Sequence, residues 1–238
     1  MDQLRIAFEL LNIEVSGDTL CKFKKYMELV LAWNEKVNLT GIKEESEFIQ
    51  KHFIDSVLCA GFEEVRKASK VIDVGTGAGF PGLPLALVFP KKQFLLIDSI
   101  GKKVRILSEI TKELGVANVE LMQTRAEDLA HKESHRESYD LCVARAVANI
   151  GVLSEYCLPF LAIGGACILY KGPDAASEMN NAARAVGLLG GELSGIRKVA
   201  VEGFCLDHSM VVINKVKTTP EKYPRKAEAI AAKPLLAL

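Results

Sequence analysis

Apolar residues recur at three- and four-residue spacing in LCKFKKYMELVLAW, where Leu20, Phe23, Met27, Val30 and Leu31 fall on one side and lysines on the other. That period predicts an amphipathic helix with one buried stripe. A second helical segment, EESEFIQKHFIDSVLCA, follows the break at Asn38-Leu39-Thr40-Gly41, where asparagine and glycine favour a turn. From Lys70 the pattern changes to short β-rich runs alternating with helix-length spacers: VIDV (71–74), QFLLID (93–98), NVELMQT (118–124), YDLCVA (139–144) and ACILYK (166–171). Such alternation predicts βαβ units and a parallel sheet buried on both faces. Two later runs, IRKVAVE (196–202) and SMVVINK (209–215), are close enough to pair antiparallel at one edge. The pattern as a whole predicts an α/β fold with a mostly parallel seven-stranded sheet and an N-terminal helical extension. It divides the chain into a helical region (1–66), a sheet domain (67–216) and a basic tail (217–238).

The 238 residues can bury a full core, and 49% apolar with 25% charged content is that of an ordinary globular chain. Lysine plus arginine equal aspartate plus glutamate at 30 each, so the total charge points to no polyanionic partner. The distribution is less even, because Lys215, Lys217, Lys222, Arg225, Lys226 and Lys233 face only Glu221 and Glu228 near the end of the chain. The six cysteines form no C-x-x-C pair and sit mostly in apolar runs, as expected of buried free thiols in a reducing compartment. No basic start followed by an apolar run marks a secretory signal. The longest uncharged run, Val74 to Pro90, is broken by glycines and prolines and falls short of a membrane span. A cytoplasmic protein without a membrane segment is expected, and nothing demands more than a monomer.

The stretch VIDVGTGAGFPG (71–82) carries two overlapping glycine signatures, G-x-G-x-G from Gly75 and G-x-G-x-x-G from Gly77. A strand, then glycines, then a helix start brings backbone N–H groups against a ligand. In a dinucleotide site the first glycine comes straight off the strand. Here that glycine is Gly75, so the second spelling begins two residues late. A carboxylate at Asp73 would also repel a pyrophosphate, whereas it suits an amino-acid ligand, by holding its ammonium through water or by orienting the loop. Asp98, ending the second strand, can accept both hydroxyls of a ribose, a feature both cofactor classes share. Together Asp73, the Gly75–Gly77–Gly79 loop and Asp98 favour S-adenosylmethionine over a nicotinamide or flavin dinucleotide.

Further along, Thr124-Arg-Ala-Glu-Asp128 places Ala126 and an acidic residue where an adenine could bind, or else starts a helix with acids at its positive end. Arg145 stands at the end of the fourth strand, in the crevice where such sheets bind ligands. It could bond the acceptor or the donor carboxylate. His52 and Asp55 could join the helical region to the sheet or meet an acceptor, and Trp33 is expected to pack in the core. His131 and His135, in polar HKESHRES, are expected in a solvated connection with no metal site.

With these residues in view, the chain resembles the small-subunit ribosomal RNA guanine-N7 methyltransferases, also called glucose-inhibited division protein B. The resemblance rests on LAWNEKVNLTGI (31–42), KHFIDS (51–56), DVGTGAGFPGLPLAL (73–87), LIDSIGKKVRIL (96–107), TRAEDL (124–129), ARAVA (144–148), LYKG (169–172) and YPRKA (223–227). The tail departs from the family's usual continuation, with Glu228 in place of a glycine. The resemblance implies a Rossmann-like class I methyltransferase fold and S-adenosylmethionine as cofactor. It also implies 16S ribosomal RNA, or the small ribosomal subunit, as partner, and donor contacts at Gly75, Phe80, Ala126, Glu127 and Arg145. The physical reading adds Gly77 and Asp98 to that set. Arg145 is the expected catalytic residue, and Lys102, Lys103, Arg105, Arg225 and Lys226 are the expected RNA face. No D/N-P-P-Y/F or Pro-Cys motif is present, which fits an acceptor needing neither amine positioning nor a cysteine nucleophile. Two rival readings are a dinucleotide-dependent oxidoreductase and a donor-binding ribosome assembly factor whose role is mainly docking.

Overall fold

In β1 (Lys70–Val74) successive residues serve opposite layers: Val71 joins one apolar cluster, Ile72 and Val74 the other. The same two-residue alternation runs through β2 (Gln93–Asp98), β4 (Tyr139–Arg145), β5 (Leu161–Lys171) and β7 (Ser209–Lys215). Phe94, Leu141, Ile168 and Val212 face the first layer, while Leu95, Cys142, Cys167 and Val211 face the second. Side chains of a strand alternate between faces, so a sheet covered on both sides needs apolar residues at nearly every position. The structure, a computed structural model, describes residues 1–145 and 148–235. Ala146 and Val147 of the ARAVA segment and residues 236–238 of the tail lie outside the described residues.

With β3 (Val119–Gln123) and β6 (Gly191–Arg197), the strands form one sheet in the order β3-β2-β1-β4-β5-β7-β6. β1 to β5 are parallel, in registers such as Val71↔Phe94 and Ile72↔Cys142, and β7 runs antiparallel to both β5 and β6. The chain steps outward from β1 to β3 and returns to β4 on the other side of β1. That reversal opens a crevice above the carboxyl ends of β1 and β4.

The first layer is built from α1 (Asp2–Leu10), α2 (Gly17–Asn34), a helical run from Glu45 to Gly61, α5 (Glu63–Lys67), α6 (Gly82–Val88) and α7 (Gly101–Glu113). Within the run, α3 (Glu45–Phe48) passes through a π-helical turn (Ile49–Ile54) into α4 (Asp55–Val57) and a 3₁₀ turn (Leu58–Gly61). α2 buries Phe23, Tyr26, Met27 and Val30, close to the predicted stripe, with Leu20, Leu31 and Trp33 at its margin. The N-terminal helices thus share a core with one face of the sheet rather than closing a core of their own. α8 (Ala126–Leu129), α9 (Ile150–Cys157) and α10 (Ala175–Leu188) cover the other face, and α11 (Ala227–Ala232) ends the described chain. Among the described residues no helix is long and apolar enough to cross a membrane.

One predicted strand is displaced. The edge strand lies at Gly191–Arg197, not 196–202, and carries an irregularity between Leu193 and Gly195. Val199 and Val201, whose branching suggested a strand, instead anchor a loop on the first layer.

Candidate active site

The glycine loop follows β1 directly, and Gly75, Gly77 and Gly79 all have positive φ (76°, 61° and 105°), which side-chain-bearing residues rarely adopt. The amides of Gly75 and Thr76 both donate to the Ile97 carbonyl (3.0 Å), clasping the loop to β2. From the helical layer, the Tyr26 hydroxyl donates to the Ala78 carbonyl (2.6 Å). Asp73 is fully buried beneath the loop, and its Oδ2 accepts from the Thr76 hydroxyl (2.6 Å) and the Gly82 amide (2.9 Å). Burial pushes this carboxyl up to about 7, against the opposing pull of those two hydrogen bonds and of Arg145. Asp73 therefore orients the loop, one of the two roles expected of it.

At the end of β2, Asp98 divides its oxygens: Oδ2 accepts from the Gly77 amide (2.9 Å) and Oδ1 from the Ile100 amide (2.8 Å). Above it opens a cleft of about 380 Å³, lined by Gly75, Asp98, Lys103, Ala126, Glu127 and Arg145 together with Val74, Ile97, Ser99, Thr124, Arg125 and Tyr156. It lies at the carboxyl ends of the parallel strands, the edge at which open α/β sheets bind ligands. Two further hollows, bounded by Lys70, Gln93 and Asn118 and by Ala68, Asp140 and Gly165, lie at the opposite edge.

Five of the seven expected donor residues converge on this cleft, and Gly77 joins them by its bond to Asp98. Two observations fit a bound donor. A β-carbon at Gly77 would meet nothing within 4 Å, so the loop leaves open space there, and the buried Oδ1 of Asp73 has no hydrogen-bond partner among the described residues. Phe80 departs from the expectation. It is 6% exposed, does not line the cleft, and stacks on His52 (centroids 4.4 Å, interplanar 8°) within an aromatic group containing Tyr26, Phe48 and Phe53. The apolar ring at that point of the loop is taken up by the helical layer.

Arg145 connects cleft and helical layer. One terminal nitrogen donates to Asp55 Oδ2 (2.8 Å) and the Lys51 carbonyl (3.1 Å), the other to His52 Nδ1 (3.2 Å), and the guanidinium lies 5.2 Å from the Phe80 ring centroid. His52 Nε2 meets the Thr40 hydroxyl at 2.6 Å. Burial, then the charge of Arg145, holds His52 down to about 3, so its ring is neutral and accepts at Nδ1. Asp55 also bonds His208 Nδ1 through Oδ1 (2.9 Å). KHFIDS is therefore both a joint between layers and the setting of Arg145.

The expected RNA residues separate into two groups. Lys102 and Arg105 are exposed at the start of α7 beside the cleft-lining Lys103, and Lys226 is exposed in the tail. Arg225 is not available in the same way: its guanidinium grips the fully buried Glu155 (2.8 and 2.7 Å), and its amide bonds the same carboxylate (2.9 Å). A buried carboxylate requires a partner, and Arg225 supplies it. His131 is exposed and His135 half-buried, as expected of a solvated connection, and each also bonds the fold, to the Pro224 carbonyl (2.8 Å) and the Tyr139 hydroxyl (2.7 Å). The sulfurs of Cys142, Cys157 and Cys167 lie within 4.8 Å of one another, fully buried in the second layer, and none lines the cleft. Tyr26, Arg125, Tyr156 and His208 were not anticipated. Tyr26 was detectable, since it falls in the buried stripe of α2 three residues after Phe23.

A parallel sheet with a glycine loop after β1, an acid at the end of β2 and a cleft above both defines a Rossmann-like methyltransferase of class I. Among solved structures, the ribosomal protein L11 methylase of Lactobacillus delbrueckii subsp. bulgaricus has this fold. It is 17% identical with a TM-score of 0.53, over 75% of this chain and 81% of that one. A family model described as rRNA small subunit methyltransferase G matches residues 19–204. The ribosomal RNA small subunit methyltransferase G of Clostridium perfringens (strain 13 / Type A) is 44% identical over 98% of both chains. That of Clostridium tetani (strain Massachusetts / E88) is 47% identical over 90% of this chain and 89% of its own. The chain belongs to the rRNA small subunit methyltransferase G family, and the oxidoreductase reading is set aside.

Proposed function

We propose that the protein methylates N7 of a guanine in 16S ribosomal RNA, with S-adenosylmethionine held in the cleft above β1, β2 and β4. The observation that carries this reading is the convergence of Gly75, Asp98, Ala126, Glu127 and Arg145 on one opening at the ligand-binding edge of the sheet. Gly75 and Gly77 let the donor approach the backbone, Asp98 meets its ribose, and Ala126 with Glu127 meets its adenine. Arg145 lines the cleft with its guanidinium held by Asp55, His52 and Lys51, and we read it as the partner of the donor carboxylate. When bound, the donor supplies a methyl group activated by its sulfonium.

Guanine N7 carries an in-plane lone pair and no proton at neutral pH, so the chain needs no general base. The arrangement agrees with that chemistry. His52 is half-buried, neutral and engaged at both nitrogens, and the Asp55 and Asp98 carboxylates are occupied by N–H donors. Alignment of the two reactants and exclusion of water are what remain for the protein to supply. Lys102, Lys103, Arg105 and Lys226 would hold RNA phosphates, with Lys103 joining the RNA face to the cleft.

The test is to map methylation of 16S ribosomal RNA in a strain lacking the gene and in strains complemented with wild type or Arg145→Ala. Loss of one N7-methylguanine, restored by wild type and not by the variant, is expected. Restoration of the phenotype by Arg145→Ala with the base still unmodified would favour the docking role.

A further inference from the structure

Arg145 lines the donor cleft and is already bonded to Lys51, Asp55 and His52, which leaves the reading of the acceptor base to another group. Asp55 is 2% exposed, and its two oxygens point to different partners: Oδ2 to Arg145 and Oδ1 to His208 Nδ1. His208 is therefore one carboxylate away from a cleft-lining side chain. It directly precedes β7, and Ser209 registers with Lys171 at the end of β5, so His208 sits at the same carboxyl edge as the cleft. Its side chain is about one-third exposed (31%), and among the described residues Nδ1 alone of its ring nitrogens has a protein partner. The segment that supplies Asp55 directly follows a π-helical turn, a local departure frequent at functional sites.

We propose that His208 contacts the acceptor guanine through Nε2, with Asp55 as the positioning residue that fixes its ring. The inference rests on the methylation reading above. In the tautomer whose Nδ1–H donates to Asp55, the acceptor lone pair of the ring is on Nε2. Guanine presents N1–H and N2–H donors on its Watson–Crick edge, whereas adenine has an acceptor at N1. An acceptor on the protein at that edge selects guanine. It also leaves N7, on the opposite side of the base, free to face the donor. Asp55 bonds Arg145 and His208 through different oxygens of a single carboxylate.

The test compares three variants as purified full-length proteins on ribosomal RNA or small subunits from a strain lacking the gene. Wild-type methylation of that substrate is the control for the underlying reading. His208→Gln keeps a polar atom near the position of Nε2, whereas His208→Asn keeps only one near Nδ1. His208→Ala and His208→Asn are expected to lose about 10- to 100-fold in kcat/KM, the worth of one buried hydrogen bond left unmade. His208→Gln is expected to recover most of it. Affinity for S-adenosylhomocysteine should stay within about twofold throughout, since the donor site is intact. Rescue by Asn and not Gln, or parallel loss of donor affinity and Tm in every variant, would make His208 a loop anchor and overturn the proposal. An active wild type with unchanged His208→Ala would overturn it as well.

Discussion

Gly82 lies against Asp73 so closely that a β-carbon there would stand 2.6 Å from Asp73 Oδ2 and 2.9 Å from its Cβ, with Leu96 at 3.0 Å. The glycine that creates the second, misleading signature in the loop is thus the one that lets α6 dock on β1 and donate to Asp73. Gly82→Ala should overpack this contact at a cost of about 1–3 kcal/mol. A lowered Tm with weakened S-adenosylhomocysteine binding is expected in calorimetry, and an unchanged Tm would refute the packing argument.

Asp73 makes stability depend on pH in an unusual direction. An unfolded aspartate titrates near 3.9, and burial first of all raises the folded one to about 7. Between these values the folded chain keeps a proton that the unfolded chain has lost. Stability from this group is therefore full below about pH 4, falls as pH rises through the window, and is lowest above about 7. Asp73→Asn should shift the balance toward the variant by up to about 1.4 kcal/mol per pH unit across that range. Urea unfolding of both proteins at pH 5, 6, 7 and 8 measures the difference, which a constant offset would contradict.

Arg225 is expected to matter for folding and not for RNA. Its removal strands the buried carboxylate of Glu155, at a cost of about 3 kcal/mol, and Arg225→Ala/Glu155→Ala should recover part of that loss. Lys102→Glu/Lys103→Glu should behave in the opposite way, with an unchanged Tm, RNA affinity reduced at least ~10-fold and a shallower salt dependence. Unfolding curves beside RNA binding at two salt concentrations separate the two cases.

Much of this site follows from strand parity. Val71, Asp73, Val143 and Arg145 share the odd positions of β1 and β4, so once Val71 is assigned to the layer of the N-terminal helices, Arg145 must meet those helices too. The glycine loop and Asp98 were legible because positive φ and a strand-end acid leave direct marks in composition. Phe80 and Arg225 were not, because their roles depend on which neighbour takes them: an aromatic layer for one, the buried Glu155 for the other. His208 gave no periodic signal, since its partner Asp55 lies 153 residues earlier and the two meet only across the folded sheet edge.

Gly77 and Gly79 both need positive φ yet differ in surroundings, which lets binding be separated from folding. A β-carbon at Gly79 would lie 2.5 Å from the Tyr26 hydroxyl and 2.9 Å from Leu107, inside the helical layer, whereas at Gly77 it meets nothing within 4 Å. Gly77→Ala therefore bears only the left-handed backbone cost of about 1–2 kcal/mol. Gly79→Ala adds overpacking of about 1–3 kcal/mol to the same cost. The methyl group at Gly77 would project into the open space over the loop, where the donor is proposed to approach the backbone. Calorimetric titration should show Gly77→Ala folded, only modestly destabilised, and weakened at least ~10-fold for S-adenosylhomocysteine, a change of about 1.4 kcal/mol. Gly79→Ala should show the larger drop in Tm. Wild-type donor affinity in Gly77→Ala would remove that glycine from the donor site, while leaving its turn geometry as the reason for its presence.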